Sequence, residues 1–147
     1  MASATGTHTT ASAGETERLG AAIAAGLEGG DVVLVSGELG AGKTTLVRGA
    51  ARALGVSDPV TSPTFTIGQR YRAAPPLSHV GHVDLYRVAS LEGEDPDLLA
   101  DYLGADTVTF VEWPEVGERE LALLGRVAVR VRLSHAGGDR RVIEVTR

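Results

Sequence analysis

Residues 37–44 read GELGAGKT, and Gly37, Gly42, Lys43 and Thr44 fit the spacing G-x-x-x-x-G-K-[ST] at every fixed position. That spacing suits a triphosphate held with Mg²⁺. Glycine lets successive peptide N–H groups turn into one concavity. Gly40 lets the chain approach the phosphates closely, Lys43 can reach the β and γ oxygens, and the Thr44 hydroxyl can ligate Mg²⁺. Thr45 either touches the α-phosphate or sits on the face of a following helix. Such a loop also needs a carboxylate for the metal or its water shell, commonly at the end of a neighbouring apolar strand. Glu112, directly after VTFV, and Asp84, within HVDLYR, both qualify. The plainer readings are a helix-capping or loop acid for Glu112 and an ion pair with Arg87 for Asp84. No glutamine occupies an obvious water-positioning place, and sequence does not bring Arg87 to a γ-phosphate. Weak intrinsic turnover is therefore expected unless a partner completes the site.

The elements that must position these residues follow from periodicity. Residues 15–27 read as a helix, with Leu19, Ala22, Ile23 and Leu27 at helical spacing, stopped by Gly29 and Gly30. Residues 32–36 (VVLVS) read as a strand buried on both faces. The loop follows, then a helix over residues 43–54, with Gly55 suited to its C-terminal cap. Residues 60–71 look extended, AAPP (73–76) is a turn, and residues 77–85 form a strand that could pair with the preceding segment. Residues 90–104 are expected to be irregular and then helical around 98–103. Residues 108–111 form a second apolar strand, and a weak helix covers 116–124. Residues 127–133 and 141–145 alternate around AGGD, a hairpin signal. The sum is an α/β, three-layer domain with a mixed β-sheet, antiparallel hairpins flanking a parallel centre.

The chain has 147 residues, enough for one domain with its own core, and no cysteine. Its formal net charge of −5 argues against a domain that grips a nucleic-acid backbone by itself. Arg126, Arg130, Arg132, Arg140, Arg141 and Arg147 crowd the C-terminus; solvated strand faces explain them most simply. The start, MASATGTHTTASAG, lacks the pattern of a secretory signal, and no apolar run approaches a membrane span. A cytoplasmic protein with a flexible N-terminal tail over residues 1–14 is expected.

GELGAGKTTLVRGAARALG, SPTFT (62–66), HVDLYR (82–87) and VEWPE (111–115), in this order, resemble the TsaE (YjeE) family of bacterial ATPases. The resemblance is strong over residues 15–115 and loose over the C-terminal hairpin. It implies a P-loop NTPase-like fold with one ATPase domain over residues 15–147. It further implies ATP and Mg²⁺ as cofactors and TsaB and TsaD as partners. The role implied is support of threonylcarbamoyladenosine (t6A) modification of tRNAs reading codons that begin with A, without performing the transfer. Contact with tRNA would be indirect, through the complex, with no membrane or DNA involved.

By that resemblance Gly37, Glu38, Leu39, Gly40, Ala41, Gly42, Lys43, Thr44 and Thr45 would hold the phosphates. Thr44 and Glu112 would ligate the metal. Thr64 would sit near the γ-phosphate or its metal, and Asp84 would organise water or metal. Adenine contacts are suggested around Ala13 and Gly138. His82 reads first as a structural histidine and Tyr86 and Phe65 as packing. Trp113, the only tryptophan, reads equally as a core anchor or an interface residue. Glu38 departs from the family's usual aspartate and should point away from phosphate. Two other classes fit less well: a nucleotide-dependent switch without significant hydrolysis, and a small-molecule kinase, for which residues 90–103 supply no arginine lid.

Overall fold

The computed structural model describes residues 4–63, 66–88 and 97–147. Seven strands form one sheet: β1 (Gly6–Thr10), β2 (Asp31–Gly37), β3 (Gly68–Arg72), β4 (His79–Asp84), β5 (Thr107–Glu112), β6 (Arg126–His135) and β7 (Arg141–Thr146), in the order β1-β7-β6-β2-β5-β4-β3. The centre is parallel, β2 between β6 and β5, with β4 beyond β5. Antiparallel pairs close both sides, β6–β7–β1 on one and β4–β3 on the other. This is the mixed sheet the sequence pattern predicts.

Alternation along β2 explains its fully apolar reading. Val33 and Val35 enter a core beneath α1 (Ala13–Ala24) and α2 (Lys43–Ala53), together with Ile23, Leu46 and Phe110. Val32 and Leu34 enter a second core on the opposite face, with Val83, Val111, Leu99 and Leu121. That face is covered by α3 (Asp97–Ala100) and α4 (Glu118–Leu124). Each fully buried aliphatic side chain contributes about 1.5–3 kcal/mol relative to exposure, so the two cores fix the central strands against both helical layers. The helices α1 and α2 touch through their backbones: a Cβ on Gly49 would lie 2.0 Å from the Glu17 carbonyl oxygen. This contact sets the start of α1 beside the start of α2.

Three expectations differ from the structure. Residues 6–10, expected in a flexible tail, form β1 against β7. Its threonines suit a strand, and the Thr10 hydroxyl lies 2.8 Å from that of Thr16, both residues being buried. The first helix covers Ala13–Ala24 rather than 15–27, because Ser12 caps it by accepting from the Glu15 N–H while Glu15 accepts from the Ala11 N–H. Of the segment expected to be extended over 60–71, Gly68–Arg72 form β3, while residues 60–63 lie in no strand: Pro63 cannot donate to a ladder, and the Ser62 hydroxyl lies 2.9 Å from that of Thr44 at the start of α2. Among the described residues no helix is long and apolar enough to cross a membrane.

Candidate functional site

The strands β2, β5 and β4 end side by side, with Val35 opposite Glu112 and Asp84 opposite Glu112. The phosphate-loop sequence leaves the end of β2; Glu112 stands at the end of the adjacent β5, and Asp84 at the end of β4, one strand further out. Ligands of open α/β sheets bind at such carboxyl ends. A cavity of about 290 Å³ lies there, lined by the loop, Ser62, Asp84, Tyr86, Glu112 and Trp113. Another cavity of about 300 Å³, across the sheet between α4 and β6–β7, contains no loop residue. The candidate anion site is therefore the first, which the loop lines.

Gly42 begins α2 with φ of 98° and no side-chain cap. Glycine adopts that left-handed angle without strain, and the uncapped first-turn N–H groups of an 11-residue helix remain available to an anion. Lys43 is buried, and its Nζ donates to the carbonyls of Gly37 and Glu38 at 2.7 Å each. The ammonium also lies 4.3 Å from the centre of the Trp113 ring, which packs on Tyr86 at 4.9 Å between centroids. Burial pushes Lys43 below the ordinary lysine range, while the carboxylates of Glu112, Asp84, Glu115 and Glu38 draw it back up.

The acids are tied to the loop. Glu112 Oε2 accepts from the Thr44 hydroxyl at 2.9 Å, and its partner on the buried side is His82 Nε2 at 2.5 Å. Ser62 Oγ lies 2.9 Å from Thr44 Oγ1. A hydroxyl and a carboxylate in contact are hard oxygen donors. They fit Mg²⁺, which typically takes one or two protein ligands and completes its shell with water and phosphate. Among the described residues no group of three or more His, Asp or Glu side chains could hold a metal alone.

Asp84 Oδ1 accepts from the Tyr86 N–H at 2.9 Å. Burial raises its carboxyl above the usual range, and the Glu112 charge adds to this, against the Tyr86 N–H, His82 and Lys43. A carboxyl raised on folding destabilises the fold while ionised. That cost is full above the folded pKa and disappears as pH falls below the ordinary carboxylate range. Asp84→Asn keeps an acceptor for Tyr86, so its ligand-free melting temperature should exceed that of the wild type at pH 7. The gain should shrink in acid, and melts at the two pH values check it.

Comparison with known proteins decides the family. The model described as "Threonylcarbamoyl adenosine biosynthesis protein TsaE" matches residues 10–143. The chain belongs to the TsaE family. It is 44% identical over 124 residues to the TsaE protein of Streptomyces coelicolor, covering 82% of this chain and 80% of that protein. Against TsaE of Bacillus subtilis it is 37% identical over 133 residues, covering 90% and 79%. The crystal structure of Bacillus subtilis YdiB superposes with a TM-score of 0.70 at 31% identity, covering 93% of this chain and 81% of that one. The P-loop NTPase-like fold expected of a TsaE protein is thus the fold observed.

The structure brings Lys43, Thr44, Asp84 and Glu112 around one cavity. Thr64 and Phe65 lie outside the described residues. Ala13 is the first residue of α1 and Gly138 sits in the β6–β7 turn, both exposed. Both segments border the loop, since a Cβ on Gly42 would meet Thr16, Leu133 and Arg141 within 3.9 Å. Sequence reasoning missed the Ser62 hydroxyl, the His82–Glu112 bond, and the contacts of His135 and Arg141 with the loop. The position of Ser62 two residues before Thr64 was the one available signal. For Arg141, which is half-buried with its guanidinium on loop carbonyls, the solvated-face reading is corrected.

Proposed function

We propose that this TsaE protein is the Mg²⁺-dependent ATP-binding and ATPase subunit of tRNA t6A synthesis. It would act in the cytoplasm with TsaB and TsaD on tRNAs reading codons that begin with A, and would not itself transfer the threonylcarbamoyl group. The observation that carries the reading is the meeting of Thr44, Glu112 and Lys43 at one cavity beside the uncapped start of α2.

Loop amides bind the phosphate oxygens, and Lys43 exchanges its two carbonyl partners for β and γ oxygens. Thr44 and Glu112 hold Mg²⁺, which neutralises charge developing on the phosphates. Asp84, its carboxyl raised by burial, orients the attacking water or receives its proton. Trp113 and Tyr86 screen Lys43 from bulk water on one side. A cation for the transferring group is left to the partners, so turnover by the isolated chain is slow.

The test is ATP hydrolysis by the chain alone and with TsaB and TsaD. Stimulation by the partners of about tenfold or more is expected, and up to about 10³–10⁵-fold where a cation supplied in trans completes the site. Binding without turnover in any mixture favours the switch reading, and phosphate transfer to a small acceptor without partners favours the kinase reading.

A further inference from the structure

We propose that Arg141, assisted by His135, is a positioning residue of the phosphate loop: from the β6–β7 hairpin it holds loop carbonyls outward so that loop amides face the phosphate site. The inference rests on the nucleotide reading of that site and adds a role for a hairpin which the loop's own sequence does not foretell.

Each carbonyl oxygen across residues 37–42 accepts a hydrogen bond. Those of Gly37 and Glu38 accept from Lys43 Nζ, and that of Glu38 also from the Ala41 N–H at 3.1 Å. That of Leu39 accepts from His135 Nε2 at 3.1 Å. The carbonyls of Gly40 and Ala41 accept from Arg141 Nη2 and Nε, at 3.1 Å each. That of Gly42 accepts from the Leu46 N–H within α2 at 3.0 Å. A trans peptide is planar, so a carbonyl turned one way turns the following N–H the other. Holding Leu39 and Ala41 oxygens against the hairpin therefore aims the N–H groups of Gly40 and Gly42 away from it. Ala41 N–H, which follows the Gly40 carbonyl, closes the turn on Glu38.

The hairpin bonds differ from those of Lys43 in one respect. Phosphate competes for the Lys43 ammonium, whereas neither His135 nor Arg141 has to leave its carbonyl for the loop amides to work. Once Lys43 turns to phosphate, the outer face of the loop is held from the hairpin. The guanidinium is itself fixed, because Nη1 donates to the carbonyls of Gly138 at 2.7 Å and Arg140 at 2.9 Å. All four of these Arg141 bonds are charge-assisted and end on backbone oxygens. A lysine ammonium is a point donor and does not reproduce this planar fork. His135 donates to a carbonyl, which only accepts, so its Nε2 carries the proton.

Arg141→Ala, Arg141→Lys and the neighbouring Arg140→Ala separate positioning from stability. Each folded variant is titrated with ATP and with ADP by calorimetry, and amide hydrogen exchange at Ala41, whose N–H closes the turn on the Glu38 carbonyl, is followed in the ligand-free chain. Arg141→Ala should weaken both nucleotides by about tenfold or more, the scale of a lost charge-assisted bond, and speed exchange at that amide. Arg141→Lys should fall between, Arg140→Ala should match the wild type, and low concentrations of guanidinium should partly restore Arg141→Ala. Wild-type affinity or wild-type exchange in folded Arg141→Ala overturns the proposal. If that variant does not fold, wild-type affinity in Arg141→Lys does so. A wild-type chain that binds neither nucleotide overturns the nucleotide reading, and the exchange comparison then still decides whether the hairpin holds the loop.

Discussion

Replacing Lys43 with alanine should leave a folded chain that binds ATP about 100-fold more weakly and shows no partner-dependent turnover. In the ligand-free protein the ammonium is buried, satisfied by two loop carbonyls and stacked over Trp113. Burial depresses its pKa, but four surrounding carboxylates, led by Glu112, act to keep it charged. It is therefore a cation held in a partly dry cavity where a phosphate oxygen gains more from it than it would in water. Two charge-assisted bonds at about 1.5 kcal/mol each give about 3 kcal/mol, or roughly 100-fold. The fold should tolerate the change, because Gly37 and Glu38 line a separate surface cleft beside Trp113 and Arg132 where their carbonyls can hydrate. Calorimetric titration and a thermal melt of the same sample separate the two effects. Unchanged affinity in the variant would remove Lys43 from the phosphate site.

Glu112→Gln is expected to lower Mg²⁺-dependent turnover by about 100-fold or more, the several kcal/mol a correctly held metal supplies. Affinity for ATP without Mg²⁺ should change little, since the loop amides are untouched. Glutamine is the informative substitution. Its amide oxygen can still accept from His82 and Thr44, which now share Glu112 Oε2, while the charge that attracts the metal is gone. Glu112→Ala should damage turnover too, but it also strands the buried His82 ring. His82 Nδ1 already has no hydrogen-bond partner among the described residues, and losing the partner of Nε2 costs about 1–3 kcal/mol of stability. Turnover that survives Glu112→Gln would move the metal assignment to Asp84.

The central strands were legible because each is apolar on both faces and each ends where the chemistry begins: β2 in the loop, β5 in Glu112. The flanking hairpins were legible from alternation and from the AGGD turn. Less legible was β1, whose GTHTT carries no apolar residue; it is an edge strand held by backbone pairing with β7 and by Thr10. The helix start at Ala13 was written in the Ser12–Glu15 capping pair, which the apolar spacing from Leu19 onward obscured. His82 shows the limit of choosing between structure and function from sequence. It is fully buried, as a structural histidine would be, yet it is bonded to the carboxylate assigned to the metal. The contacts of Arg141 and His135 with the loop span 96 to 101 residues, and no local periodicity reports contacts at such separation. The exposed arginines around Arg141 concealed it, since composition alone does not tell a solvated guanidinium from one bonded to a loop.

The most direct measurement is a titration of the isolated wild-type chain with ATP and, separately, with adenosine, with Mg²⁺ and with EDTA. Calorimetry is the primary readout, and Trp113 fluorescence, from the only tryptophan, reports from beside Lys43. The expected result is saturable one-site binding of ATP that EDTA weakens, a change in Trp113 emission along the same curve, and no binding of adenosine at the same concentrations. ATP that produces neither heat nor a fluorescence change, or adenosine that binds as tightly as ATP, would contradict the assignment of residues 37–44 as a phosphate-binding loop.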